Sequence, residues 1–256
     1  MHRHSRILLL SVTCLALACG AMATEPLNLS SQQVSEALAR AIAQGTRSRA
    51  LELVGPVLED EAGSEYRFGY EARWNAANAV RDFRLVEEVY LLRKVASLPD
   101  SAANPTGDKS EDSLRNLLKI LAVKSALSGL TLLGDSEAVA LNRLQVLSPV
   151  ISSTAIRNLK ELKDWEATER IRSVLTNRAL TPEAFLDLDA ALDFLVASPM
   201  SEPRDCALLQ RLTVGYRSCF DAELRPPGIA GCEDFVQTAK AFEARFQCPA
   251  VETPRK

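Results

Sequence analysis

The chain has 256 residues, is 47% hydrophobic and carries a formal net charge of −3. Its cationic residues are scattered singly among acids, without the basic stripe a polyanion binder requires, so nucleic acid is excluded as a partner. The only histidines are His2 and His4, and where the opening segment is removed, triad hydrolysis and histidine-ligated zinc chemistry go with them.

That opening segment reads as an export signal. A charged start, His2-Arg3-His4-Ser5-Arg6, leads into an apolar run, Ile7–Ala18, too short for a permanent bilayer span. Ala21-Met22-Ala23 places small residues three and one before the next bond, so residues 1–23 are expected to be a signal peptide and Thr24 the mature start. The alternative is cleavage before Cys19: Leu15-Ala16-Leu17-Ala18-Cys19 resembles a permissive lipobox, with Cys19 lipidated and the protein tethered to the outer membrane. Arginine outnumbers lysine 22 to 8, which points to a GC-rich bacterial genome and hence to a periplasmic or secreted protein. Asn28-Leu29-Ser30 would be a glycosylation sequon in a eukaryotic chain. Without residues 1–23, which carry Arg3 and Arg6 and no acid, the net charge is −5.

The remainder is expected to be all-α: an irregular multi-helix array, with a degenerate α-solenoid as the alternative, ending in a disulfide-stapled helical hairpin. An N-terminal helical region, 24–97, opens on Ser30–Gln44, where Val34, Ala37, Leu38, Ala41 and Ile42 share one face, Ser30 and Gln33 form a capping box and Gly45 is the stop. Ala50–Leu58 is either a short helix or a bend at Gly55-Pro56. Residues 75–97 read as one long helix. Residues 98–112, rich in Pro, Gly, Asn, Asp and Ser, are expected to be a linker and domain boundary. In the central region, 113–200, helices are expected over Ser113–Gly129, Ser136–Leu147, Thr154–Arg178 and Pro182–Ala197, with Asp135, Ser153 and Thr181 as caps. The most apolar segment, Leu114–Leu133, is interrupted by Arg115, Lys119 and Lys124, so no later membrane span is expected and a lipid anchor would be the one membrane attachment. No signature repeats at a fixed period between about 33 and 45 residues.

The C-terminal region, 201–256, holds Cys206, Cys219, Cys232 and Cys248. Cys206, Leu209, Thr213, Tyr216 and Phe220 share one helix face, and Cys232, Phe235, Ala239, Phe242 and Phe246 another. With Arg225-Pro226-Pro227-Gly228 reversing the chain between them, an antiparallel hairpin brings Cys206 to Cys248 and Cys219 to Cys232. Pairing in sequence order would join points about 20 Å apart along a continuous helix, beyond disulfide reach, and survives only if Gly215 or Gly231 ends a helix early, so the nested pairing ranks first of the three connectivities without excluding the other two. Structural zinc takes closely spaced cysteine pairs, which these are not, so disulfides are expected and no metal or cofactor.

No S-x-x-K, Walker or dinucleotide-binding pattern occurs. Carboxylate chemistry survives, and the enzyme alternative is a cell-wall glycan hydrolase using Glu65 or Glu71. Asp187, Asp189 and Asp193 lack a calcium loop's glycine turn and read as the solvated side of the 182–197 helix. The most suggestive stretch is Glu65–Trp74, in which Tyr66, Phe68, Tyr70 and Trp74 alternate with Arg67, Glu71 and Arg73. Core packing is its ordinary explanation, but if exposed, Tyr66, Phe68, Tyr70, Trp74, Arg67 and Arg73 are the residue types that dominate protein interfaces. The expected function is non-enzymatic binding of another envelope or secreted protein, as an inhibitor or immunity-type protein or as an assembly or chaperone-type factor. A carrier of apolar ligands is the third alternative.

Overall fold

The computed structural model describes residues 29–60, 68–98, 108–220 and 231–248. The segment read as a signal peptide, Cys19, and the Arg225–Gly228 reversal lie outside the described residues. Within them are twelve α-helices and no strand: α1 Ser31–Gln44, α2 Arg47–Glu59, α3 Tyr70–Asp82, α4 Leu92–Ala96, α5 Lys109–Leu132, α6 Ala138–Gln145, α7 Ser152–Glu161, α8 Thr168–Asn177, α9 Phe185–Ala197, α10 Cys206–Gly215, α11 Arg217–Phe220 and α12 Cys232–Phe246.

Local chemistry accounts for many of the boundaries. The Ser30 hydroxyl accepts the Gln33 N–H at 3.3 Å and the Gln33 side chain accepts the Ser30 N–H at 2.9 Å, closing the expected capping box. α2 runs straight through Gly55-Pro56, so the bend is not made there. The expected helix over 75–97 is instead broken after Asp82: Arg84 takes a left-handed φ of 51° and the Leu85 N–H reaches back to the Val80 carbonyl at 2.9 Å. Thr154–Arg178 breaks in the same way, with Lys163 at φ 54° and the Asp164 N–H on the Leu159 carbonyl at 2.9 Å. Gly45 and Gly134 make the same closure with φ 68° and 70°, the usual glycine solution to a helix stop. Ser153 does not cap α7. It is buried within the helix.

α5 begins at Asp108, whose carboxylate accepts the Ser110 and Glu111 N–H groups, inside the segment expected to be a linker. α3 and α4, which precede that segment, pack directly on α5. The apolar core divides later. One cluster runs from Val34 to Ile151, and a second from Val146 to Phe242.

α1, α3, α5, α7, α9 and α12 form a side-by-side stack, each on the next. The stack is parallel. Ser31 meets Gly69 and Ser35 meets Asn75 between α1 and α3. Gly129 of α5 abuts Arg81 of α3 and Leu92 of α4, so closely that a side chain there would displace the end of Leu92. A buried amide chain, Asn158 to Asn142 at 2.9 Å and Asn142 to Thr131 at 3.1 Å, ties the C-terminal ends of α5 and α7 through α6. Ser153 meets Asp187 and Lys160 meets Asp193 between α7 and α9, while Gly231 lies against Phe185, and Arg245 donates to the Leu195 and Ser198 carbonyls, between α12 and α9. All these helices therefore run in the same direction. The intervening helices return the chain, which gives the array the organisation of a degenerate solenoid.

An arginine from each of the first four returning segments is tied to an acid in the turn after the next stacked helix: Arg47 to Glu87 at 3.2 Å, Arg93 to Asp135 and Glu137 at 2.9 and 2.7 Å, Arg143 to Asp164 and to Glu166, and Arg172 to Asp205 at 2.8 Å. Both expected disulfides are present, Cys206–Cys248 and Cys219–Cys232, with Cα separations of 5.4 and 5.1 Å. They clamp α10 and α11 to α12, and Phe235 fills the hairpin by edge contacts with Phe185, Tyr216 and Phe220.

Candidate functional site

The aromatic stretch is divided by the fold. Phe68 is 2% exposed and joins the first core. Arg73, also buried, donates to the Asp60 carbonyl at 2.7 Å and its carboxylate at 3.1 Å. Those two are thereby removed from any binding surface, because α3 turns its inner face onto α1, α2 and α5. Tyr70 and Trp74 are half-buried, Trp74 against the core. Glu71 is exposed on α3, and Glu65, Tyr66 and Arg67 lie outside the described residues.

Of the acids of α9, Asp193 is partly exposed, but Asp187 and Asp189 do not lie on a solvated face. Asp187 is buried, accepts the Ser153 N–H at 2.9 Å and pairs with Arg178 at 2.5 Å. Burial pushes its carboxyl above the ordinary range, while Arg178, Ser153 and Lys124 pull it back. Asp189 faces the seam between α7 and α12, with its side chain 15% exposed and Arg157 at 4.0 Å. Its Oδ1 is sealed from solvent without a hydrogen-bond partner. Burial, chiefly, pushes its carboxyl up to about 6; Asp193 and Asp234 add to the rise, and Arg157 and Lys160 oppose it. Among the described residues no group of three or more histidines, cysteines or acids could hold a metal ion.

Asp189 is thus a structural group that titrates, and the consequence has a definite sign. A carboxyl whose folded pKa lies above its unfolded value binds more protons in the native state. Its contribution to stability is fully present below about pH 4 and is lost as pH rises through about 6. Asp189→Asn, neutral throughout, is expected to be more stable than the parent by about 2 kcal/mol above pH 7, the gain vanishing near pH 4. Thermal melts from pH 4 to 8 test this. A pH-independent difference would mean that Asp189 does not titrate in that range.

A surface that the sequence did not single out lies at the start of α9. Leu144, Leu147, Val150 and Leu186 are 62, 51, 37 and 52% exposed. Arg178, while holding Asp187, also donates to the Leu147 and Ser148 carbonyls at 3.2 Å. The tip of the α6–α7 connection is thereby fastened beside the first turn of α9. Large apolar side chains left in water on adjacent elements are a candidate interaction surface. Their sequence signal, leucines at 144 and 147 on a short amphipathic segment, is the same as that of core residues, so only the packing distinguishes them.

Compared with known proteins, the chain matches no protein-family model, no curated protein and no solved structure.

Proposed function

We propose that the protein binds another protein in an oxidising extracytoplasmic compartment, as an inhibitor, immunity-type or assembly factor of a bacterial envelope. The observation that carries this reading is the apolar surface set on a stacked helical array. Solenoid-like stacks present long surfaces made by successive units, and such surfaces serve binding. Two disulfides are compatible with an oxidising compartment, and no described helix is long and apolar enough to cross a membrane. The periplasm is the location that fits these features together with the N-terminal segment, and lipidation at Cys19 would add a tether.

The test is affinity capture of the disulfide-intact, tagged protein from envelope extract, followed by reconstitution of the complex from purified components. A stoichiometric complex that survives gel filtration is the expected result. Capture that returns nothing above an untagged control, at physiological salt and without reductant, would overturn the reading.

A further inference from the structure

We propose that Cys206–Cys248 is a site of thiol–disulfide exchange that opens while Cys219–Cys232 stays closed, turning α12 from a strap held at both ends into one held at its start. This property is independent of the protein-binding reading.

Exchange requires a thiolate to reach a sulfur, so access decides which of two disulfides reacts. Cys219 and Cys232 are 0 and 3% exposed and belong to the second apolar core. Cys206 and Cys248 pack against that core but are only half-buried. The bond between them is the one a thiol in solution can meet without unfolding the hairpin.

The ends of the helices set the direction of attack. Cys206 is the first residue of α10, where a helix start stabilises negative charge, whereas Cys248 lies just after α12, past its negative end. The carboxylate of Asp205, next in sequence, is balanced by Arg172 at 2.8 Å. Cys206 is therefore the better leaving thiolate. An attacking thiolate bonds to the Cys248 sulfur as the Cys206–Cys248 bond breaks, and the Cys206 sulfur departs with the electron pair and takes a proton from water. A second thiol of the reductant then displaces the Cys248 sulfur. A dithiol is thereby oxidised to its disulfide, and the protein gains two thiols. Cys232 opens α12 as Cys206 opens α10, so helix position does not tell the two bonds apart. Burial does.

The packing of α12 determines what opening does. Its first half is held by the retained disulfide and by Phe235, whose ring meets those of Phe185, Tyr216 and Phe220. Its second half rests on the buried Phe242 and on Arg245, an exposed residue that donates to the Leu195 and Ser198 carbonyls at the end of α9. Hydrogen bonds of that kind are exchanged readily for water. Once the outer bond is broken, the part of α12 beyond Ala239 lifts from α9 and uncovers Phe242.

The probe is reduced glutathione, added to the disulfide-intact protein and quenched with N-ethylmaleimide before peptide mapping by mass spectrometry. The expected early product carries glutathione on Cys248 and maleimide on Cys206, with Cys219–Cys232 intact. The outer bond should open about tenfold faster than the inner one or more, at a rate proportional to glutathione. Hydrogen exchange on protein opened at the outer bond by limiting dithiothreitol should show lost protection over residues 240–248 and none lost over 232–239. Cys206→Ser with Cys248→Ser should reproduce that pattern without reductant.

Equal rates at the two bonds, or glutathione on Cys206, would overturn the proposal. So would a rate independent of glutathione concentration, which would mean that global unfolding gates the reaction. Unchanged protection over 240–248 in the opened protein would show the strap staying shut without its bond, and loss over the whole of α12 would show that the inner bond is no anchor; either result overturns it as well.

Discussion

A Cys206→Ser, Cys248→Ser variant is expected to unfold with about 4 kcal/mol less free energy than the parent, and a Cys219→Ser, Cys232→Ser variant with about 3 kcal/mol less. The ordering comes from the closed loops, 42 and 13 residues in sequence separation, since a longer loop removes more freedom from the unfolded chain. Reductant should bring the parent down to the level of the double loss. The first pair also joins the beginning of α10 to the residue just after α12, so its removal frees the end of a helix that covers α9. Equilibrium urea unfolding of the two variants, with and without reductant, provides the measurement. A smaller loss for the Cys206–Cys248 variant would mean that native packing outweighs the chain-entropy term.

The second large effect is expected at Asp205. Its carboxylate accepts two hydrogen bonds from Arg172, at 2.8 and 2.9 Å, and a third from the Glu202 N–H at 2.9 Å. Both partners are nearly closed to water, at 11 and 2% side-chain exposure. Asp205→Ala leaves a largely buried guanidinium, bonded also to the Met200 carbonyl, without its main counter-charge, and breaking one side of such a pair costs about 3–5 kcal/mol. For a chain of this size that is a fall in melting temperature on the order of 10 °C. Asp193→Ala is the comparison: its partner Lys160 is bonded at 2.7 Å, but both side chains are more than a third exposed, and pairs of that kind contribute under about 1 kcal/mol. Calorimetry should separate the two variants widely. Equal losses would mean that the buried arginine finds other acceptors at no cost.

How much of this was legible in the sequence differs from element to element. Ser30 and Gln33 announced the start of α1 because a capping box is a purely local device. The nested disulfide pairing was legible as the first-ranked of three, because helix rise and a chain reversal favour it, but α10 ends at Gly215, so helix rise alone does not exclude pairing in sequence order. The breaks at Arg84 and Lys163 were not, since an arginine or a lysine in the left-handed region is no helix-stop signal, and the turn is held by packing of Leu85 and by the ion pair of Asp164. Asp187 and Asp189 were misplaced on a solvated face because an isolated helix gives no sign that Arg178, Arg157 and Lys160 will arrive from other elements to meet them.

The repeat was hidden by its spacing. Phe83–Arg93, Leu133–Arg143 and Leu162–Arg172 each run from an apolar residue through a left-handed one to a glutamate at the fifth place and an arginine at the eleventh. They are offset by 50 and then 29 residues, so a search at one fixed period passes over them. The same arginines make the ties between successive units, which is why the pattern emerges only when the chain is folded. At the candidate surface the sequence pointed to Phe68 and Arg73, which the core claims, and passed over Leu147 and Leu186, which it does not.

The two ends of the described array differ in kind. In a row where each member touches only its neighbours, loss of order travels inward from whichever end opens first. At the α12 end two covalent bonds stand in the way, whereas at the α1 end packing, hydrogen bonds and ion pairs do so among the described residues. Wear, whether by heat or by a protease, is thus given a direction along the chain, and the surroundings set it: oxidising conditions keep one terminus locked, and reducing conditions make the ends equivalent.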